Sequence, residues 1–242
     1  MKPYLMCLPA LLCITGVAFA AVPAPSLQSD EQKLSYAMGL DLGEYFKSLD
    51  ATFDLDVMQQ GIKDGYLGNP PLLSAAEIAE LQQEFARSQQ EKQIRETLVM
   101  IEKNRQEAEE FLKANKDREG VIETPSGLQY KVMDKGAGGA KPQPTDTVKV
   151  QYTGTLLDGT EFDSSYKRNE PAVFQVDQVI AGWQEALPLM EVGATHELYI
   201  PPDLAYGDRG VPPVIEPGSM LIFQVELLEI QESDDSALLD EE

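Results

Sequence analysis

The chain is short of the side chains that most catalysis depends on. Only two of its 242 residues are cysteine, Cys7 and Cys13, and both lie among the first twenty. Everything after them lacks a thiol, which excludes a disulfide framework, thiol redox chemistry and a zinc-thiolate centre from the rest of the chain. Histidine occurs once, at His196, within a stretch of strand character where a surface or edge position is expected rather than a catalytic base. Paired histidine ligands, a glycine-rich phosphate loop and a G-x-S-x-G elbow are missing, so no metal and no cofactor are expected, and ordinary hydrolase or nucleotidase readings fall away. Basic residues are few as well: 19 Lys and Arg stand against 41 Asp and Glu, a net charge of −22. Nucleic acid is excluded as a partner, because phosphate binding needs clustered cations. The acidity reads as solubility in a crowded compartment, with a cationic partner as the alternative.

One apolar run stands out. Lys2 precedes "YLMCLPALLCITGVAFA", which is broken by Pro9 and ends in Ala18, Phe19 and Ala20. A basic start, a short apolar run and a small-x-small site make a secretory signal peptide over residues 1–20, too short and too weakly flanked for a membrane span. Large residues, Met6 and Leu12, precede the two cysteines and argue against a lipid anchor. The Pro-bearing residues 21–28 read as a disordered leader. At the other end, residues 232–242 hold six acidic side chains and no basic one, which predicts a second disordered segment.

Between these ends the hydrophobic period changes once. Ser29 with Gln32 forms a capping box, and Leu34, Met38, Leu42, Tyr45 and Leu49 follow at helical spacing. A second short helix carries Val57, Met58, Ile62 and Tyr66 until "GNPP" stops it. Two such helices bury too little surface to stand alone, so residues 29–73 are expected to pair with a second copy as a homodimer. Ser74 and Glu77 repeat the capping box, and no Gly or Pro interrupts Leu72 to Glu119. A single connecting helix over 74–119 follows; at 1.5 Å per residue, about 40 helical residues span roughly 60 Å. Its middle, "ARSQQEKQ", is nearly all polar, which favours a solvated bridge over a continuous coiled coil.

From residue 120 to 231 the pattern is that of strands. "TVKVQYTGTL", "HELYI" and "MLIFQVELLEI" alternate or run apolar, Leu157-Asp158-Gly159-Thr160 marks a turn, and only "QVIAGWQEALPLM" looks helical. The fold class is therefore α+β, an antiparallel sheet with one short helix, preceded by an all-α segment and the long helix.

Four stretches of this half carry the functional signal: "YTGTLLDGTEFDSS", "VIAGWQEALPLMEVG", "IPPDLAYGDRG" and "PGSMLIFQVELL". In this order they resemble the FK506-binding (FKBP) type of peptidyl-prolyl cis-trans isomerase, over about Thr124 to Gln231. With the upstream helices and "KLSYAMGLDLG", the chain is similar to the secreted dimeric branch that includes macrophage infectivity potentiators and periplasmic FkpA-type foldases. The resemblance implies a pocket with Trp183 as its floor and Tyr152, Phe162, Phe223, Val179 and Ile180 as its walls. Tyr206 and the Ile180 N–H would be donors, Asp163 would sit at the edge held by Tyr152 and Arg168, and Val214 and Ile215 would line the rim. Singly, each aromatic could be plain core, and Asp163 beside Ser164 and Ser165 could merely cap a turn. Ala172, Val211 and Leu204 depart from common family choices, which bears on substrate preference. The implied function is exported folding catalysis with chaperone activity on proline-containing unfolded or folding polypeptides, in the periplasm or associated with the outer membrane or cell surface, and open to macrolide inhibitors. The competing readings are a holding chaperone or adhesion factor that binds proline without turnover, and a bare spacer at the cell envelope.

Overall fold

The computed structural model describes residues 26–231; the expected signal peptide, most of the leader and the acidic tail lie outside the described residues. The chain divides into two compact units between Glu77 and Ile78.

In the first unit, α1 (Asp30–Ser48) starts on the capping box read from the sequence: the Gln32 N–H donates to Ser29 Oγ at 3.2 Å and the Ser29 N–H donates to Gln32 Oε1 at 3.2 Å. Helix α2 (Leu55–Leu67) is capped by Asp54 and ends on Gly68 in the left-handed region, φ 68°. Neither helix buries a single residue. Leu34, Met38, Leu42, Tyr45, Ile62 and Tyr66 all stand exposed.

Helix α3 (Ala75–Asn115) begins just before the division, so nearly all of it belongs to the second unit. Its start is again reciprocal, with Ser74 N–H on Glu77 Oε2 at 2.8 Å and Glu77 N–H on Ser74 Oγ at 3.2 Å. It stops four residues before the expected limit, at a buried polar knot. Asn115 Nδ2 donates to Gln129 Oε1 at 3.0 Å, and Gln129 Nε2 donates to the Leu112 carbonyl at 2.9 Å and to Glu123 Oε1 at 3.1 Å. A fully buried amide keeps its helix end fixed, because an unpaired one would cost about 1–3 kcal/mol.

The remaining chain forms a seven-stranded antiparallel sheet: β1 (Val121–Glu123), β2 (Gln129–Asp134), β3 (Thr147–Thr155), β4 (Glu161–Ser164), β5 (Ala172–Gln175), β6 (Thr195–Ile200) and β7 (Leu221–Gln231). The spatial order is β1-β2-β6-β7-β3-β4, with β5 also paired to β3. Strict alternation places Val148, Val150 and Tyr152 of β3 and Leu221, Phe223, Val225 and Leu227 of β7 on one buried face. There they meet α5 (Ala181–Ala186) through Trp183, Ala186 and Leu187. Gly182 lets that helix lie directly on β6, since a Cβ there would fall 2.5 Å from Ile200 Cγ2. The other face carries Tyr199 and Ile222 against Ala108, Phe111 and Leu112 of α3. The sheet is thus held between a short helix and the C-terminal part of a long one.

The histidine departs from expectation. His196 is buried in β6, between β2 and β7, with its ring stacked on Tyr130 at 5.5 Å and 13°. Burial, with Lys141 nearby, lowers its pKa and favours the neutral imidazole. Lying in the middle of a sheet, it is neither a surface nor an edge residue.

Candidate active site

The site is set by the point where β3 changes partner. On one edge of β3, β4 pairs with Thr153–Thr155 and β5 with Thr147–Val150, which leaves Tyr152 opposite neither. Its N–H donates instead to Ser165 Oγ at 2.8 Å. Ser165 opens α4 (Ser165–Arg168), a single turn capped by Ser164 and ended by Asn169 at φ 55°. Capping thus falls to Ser164, and Asp163 is left for another task.

That turn brings Arg168 over the Tyr152 ring, its guanidinium carbon 5.5 Å from the centroid. The Tyr152 hydroxyl and the Arg168 guanidinium both donate to the Asp163 carboxylate, and Arg168 Nη2 donates to the Tyr152 oxygen at 2.9 Å. Burial pulls the Asp163 carboxyl upward, but these two donors together outweigh it and hold it below the usual carboxylate range. Burial, reinforced by Asp163, pushes the Tyr152 phenol up. Each group therefore keeps its neutral-pH state: carboxylate for one, hydroxyl for the other.

A cavity of about 450 Å³ opens beside this triangle. Its floor is the Trp183 indole, 3% exposed. Three rings meet the indole edge-on: Tyr152 at 5.3 Å and 90°, Phe174 at 5.6 Å and 87°, and Phe223 at 5.2 Å and 80°. Such contacts pair ring edge with ring face, and each adds about 0.5–1.5 kcal/mol beyond area burial. Phe162 extends the wall, edge-on to Phe223 at 5.4 Å and 89°. Gly154 makes that wall possible: a Cβ there would lie 2.6 Å from Phe162 Cζ and 2.7 Å from Phe223 Cε1. Ahead of α5, Val179 and Ile180 line the cavity, braced by Gln184 Nε2 donating to the Val179 carbonyl at 2.8 Å. Tyr206 completes the lining, 41% exposed. The arrangement offers apolar walls and the hydroxyl of a lining tyrosine, while its one carboxylate is already engaged by two partners.

Comparison with known proteins agrees with this geometry. Residues 138–228 match the family described as FKBP-type peptidyl-prolyl cis-trans isomerase, and residues 31–132 match the domain amino-terminal to it. The chain is 44% identical over 218 residues to Outer membrane protein MIP of Legionella longbeachae, covering 90% of this chain and 93% of that one. It is 41% identical over 220 residues to Peptidyl-prolyl cis-trans isomerase Mip of Coxiella burnetii, with 91% and 94% covered. The chain belongs to the FKBP-type peptidyl-prolyl cis-trans isomerases. Among solved structures it is similar to the crystal structure of FkpA from Escherichia coli, with a TM-score of 0.71, 36% identity, and coverage of 85% of this chain and 99% of that one.

Within this FKBP-type isomerase most of the residues singled out from the sequence come together. Tyr152, Phe162, Asp163, Val179, Ile180, Trp183, Tyr206 and Phe223 all line the one cavity. Three do not. Ile215 is 5% exposed and belongs to the core, while Val214, 48% exposed, lines a separate recess with Lys103, Asn104 and Glu107. A two-way bridge, Val211 N–H to Ile215 O at 2.8 Å and Ile215 N–H to Val211 O at 3.0 Å, folds the loop onto itself and turns Ile215 inward. The pair expected at the rim thus stands outside the residues that line the cavity. Arg168 also stands outside the lining, behind Asp163 and Tyr152, which makes it a support rather than a contact. Phe174 and Gln178 line the cavity without having been singled out. Alternation in "AVFQ" could have put Phe174 on the same face as Ala172, but only the pairing of β5 with β3 brings it to the indole.

Proposed function

We propose that the cavity over Trp183 catalyses prolyl-bond rotation by binding the twisted amide better than either planar form, in an exported homodimeric folding factor that also holds unfolded chains. The reaction makes and breaks no covalent bond. Its barrier of about 18–20 kcal/mol is the loss of amide conjugation, and the uncatalysed exchange takes roughly 10–100 s. Planar amides are the more polar form, so a dry aromatic cavity disfavours them relative to the twisted state. In this reading the proline ring rests on Trp183 between Tyr152, Phe162 and Phe223, while Tyr206 Oη and the Ile180 N–H hold the flanking carbonyls. Asp163, fixed by Tyr152 and Arg168, faces the rotating carbonyl and opposes the charge separation of the planar amide. An acceleration of about four decades needs only about 5.4 kcal/mol of such preference.

The observation that carries this reading is the open, aromatic-floored cavity with its carboxylate already satisfied. Residues 29–73 are proposed as the dimerisation segment, because α1 and α2 bury nothing of their own apolar faces. The segment 74–119, most of it α3, is proposed as the connector and 120–231 as the isomerase domain. Export to the periplasm or outer membrane is supported by the leading apolar segment and by the name of the Legionella longbeachae relative, an outer membrane protein. Prolyl exchange in a short peptide, followed with and without the protein and again with a macrolide of the FK506 type, is the test. Acceleration abolished by the macrolide is expected; acceleration indifferent to it would remove the cavity from the mechanism. Suppressed aggregation of a proline-free client, surviving Asp163→Leu, would establish holding as a separate activity.

A further inference from the structure

We infer that Arg105, far from the cavity in sequence and absent from its lining, is a positioning residue for Tyr206, through which α3 sets where the tyrosine hydroxyl stands. The inference rests on the cavity being the isomerase site and Tyr206 one of its donors. Tyr206 lies between two short turns, Pro202–Leu204 and Gly207–Arg209. Each turn offers one carboxylate to the same guanidinium. Arg105 Nη2 donates to Asp203 Oδ1 at 2.7 Å and Arg105 Nε donates to Asp208 Oδ1 at 2.7 Å. The donated hydrogen bond holds the Asp203 carboxyl below its ordinary range, so the pairing is intact at neutral pH.

A lone surface ion pair would fix little, because solvent screens it and two flexible side chains must be ordered. Three features set this one apart. A planar guanidinium with its donors in a fixed fork defines direction as well as distance, and here it closes a loop of six residues around the tyrosine. Asn104, one residue earlier and buried, donates from Nδ2 to the Pro217 carbonyl at 2.9 Å and to Glu216 Oε2 at 3.2 Å. Next to Pro217, Gly218 lies so close to α3 that a Cβ would come within 2.9 Å of the Ile101 carbonyl oxygen. The Gly218 N–H in turn donates to the Gly207 carbonyl at 3.0 Å, immediately after Tyr206. The tyrosine is therefore tied to the helix from both sides of its own loop.

The test is a double-mutant cycle on the full chain, reading kcat and KM for a short prolyl peptide together with thermal unfolding. Tyr206→Phe should lower kcat/KM about fivefold, the worth of one net hydrogen bond. Arg105→Met should lower it about two- to fivefold, since misplacing a donor costs up to what removing it costs. In the Tyr206→Phe background the same change should lower it less than twofold, and Arg105→Lys should restore part of the loss. Asp203→Asn with Asp208→Asn supplies the same cut from the other side should Arg105→Met fold poorly. A loss from Arg105→Met that is undiminished in the Tyr206→Phe background, or none in any of these variants, overturns the coupling. Full activity in Tyr206→Phe alone overturns the role of the tyrosine and the coupling with it.

Discussion

Asp163 is a carboxylate held by two donors, and its surroundings specify how it responds to pH. Its folded-state pKa is depressed, so the stability it contributes is present above the unfolded value of about 3.9 and is lost as pH falls through the folded one. The Tyr152 phenol is displaced the other way, so its contribution is complete below about pH 10 and fades only as pH rises through the raised folded value. Prolyl exchange should accordingly be flat from about pH 5 to 9, a window inside both limits, and a bell centred near pH 7 would show a titrating group elsewhere. Asp163→Leu should reduce kcat/KM at least about tenfold, because it leaves Arg168 without its carboxylate and the cavity without its negative edge. Gly154→Ala tests the wall: the added methyl meets two phenyl rings at 2.6 and 2.7 Å. It should destabilise by about 1–3 kcal/mol, seen in chemical denaturation, and reduce turnover more than stability accounts for.

Among the elements, those whose causes are local were legible in the sequence. Both capping boxes, at Ser29 and Ser74, start helices where their four-residue patterns say, and the alternation in "TVKVQYTGTL" is reproduced as inward Val148, Val150 and Tyr152. What escaped depends on partners distant in the chain. The one-turn helix Ser165–Arg168 exists because β3 exchanges β4 for β5 at that level, a pairing that no window of sequence contains. The place of Phe174 and the interior place of His196 share this origin. The cavity was readable chiefly through resemblance, since four motifs in order say more than any one aromatic. For α1 the unpartnered apolar face yields its own prediction. Met38→Asp with Leu42→Asp should turn a dimer into a monomer by light scattering, while kcat/KM on a short peptide changes less than about twofold, as no cavity residue is touched. A mass unchanged by the double substitution would assign dimerisation elsewhere.

Taken whole, the molecule sets an electroneutral cavity floor within a chain of net charge −22. Charge and catalysis should then separate by salt: the Debye length falls from about 30 Å at 0.01 M to about 8 Å at 0.15 M. Exchange in a neutral short peptide should be indifferent to that range, while capture of a basic unfolded client should slow several-fold in stopped-flow measurements. Domain limits also look different at this scale. The two family matches meet between residues 132 and 138, whereas spatial contacts divide the chain after Glu77. Helix α3 and the β1–β2 hairpin belong by descent with the amino-terminal segment and by packing with the sheet. Finally, the chain contains a single tryptophan, and Trp183 is both the floor of the cavity and boxed in by three other rings, with no acceptor for its Nε1–H among the described residues. Excited at the red edge of its absorption band, where the nine tyrosines contribute little, the native protein therefore carries a built-in optical gauge: one indole per chain, unlabelled, whose colour and brightness report on that one spot.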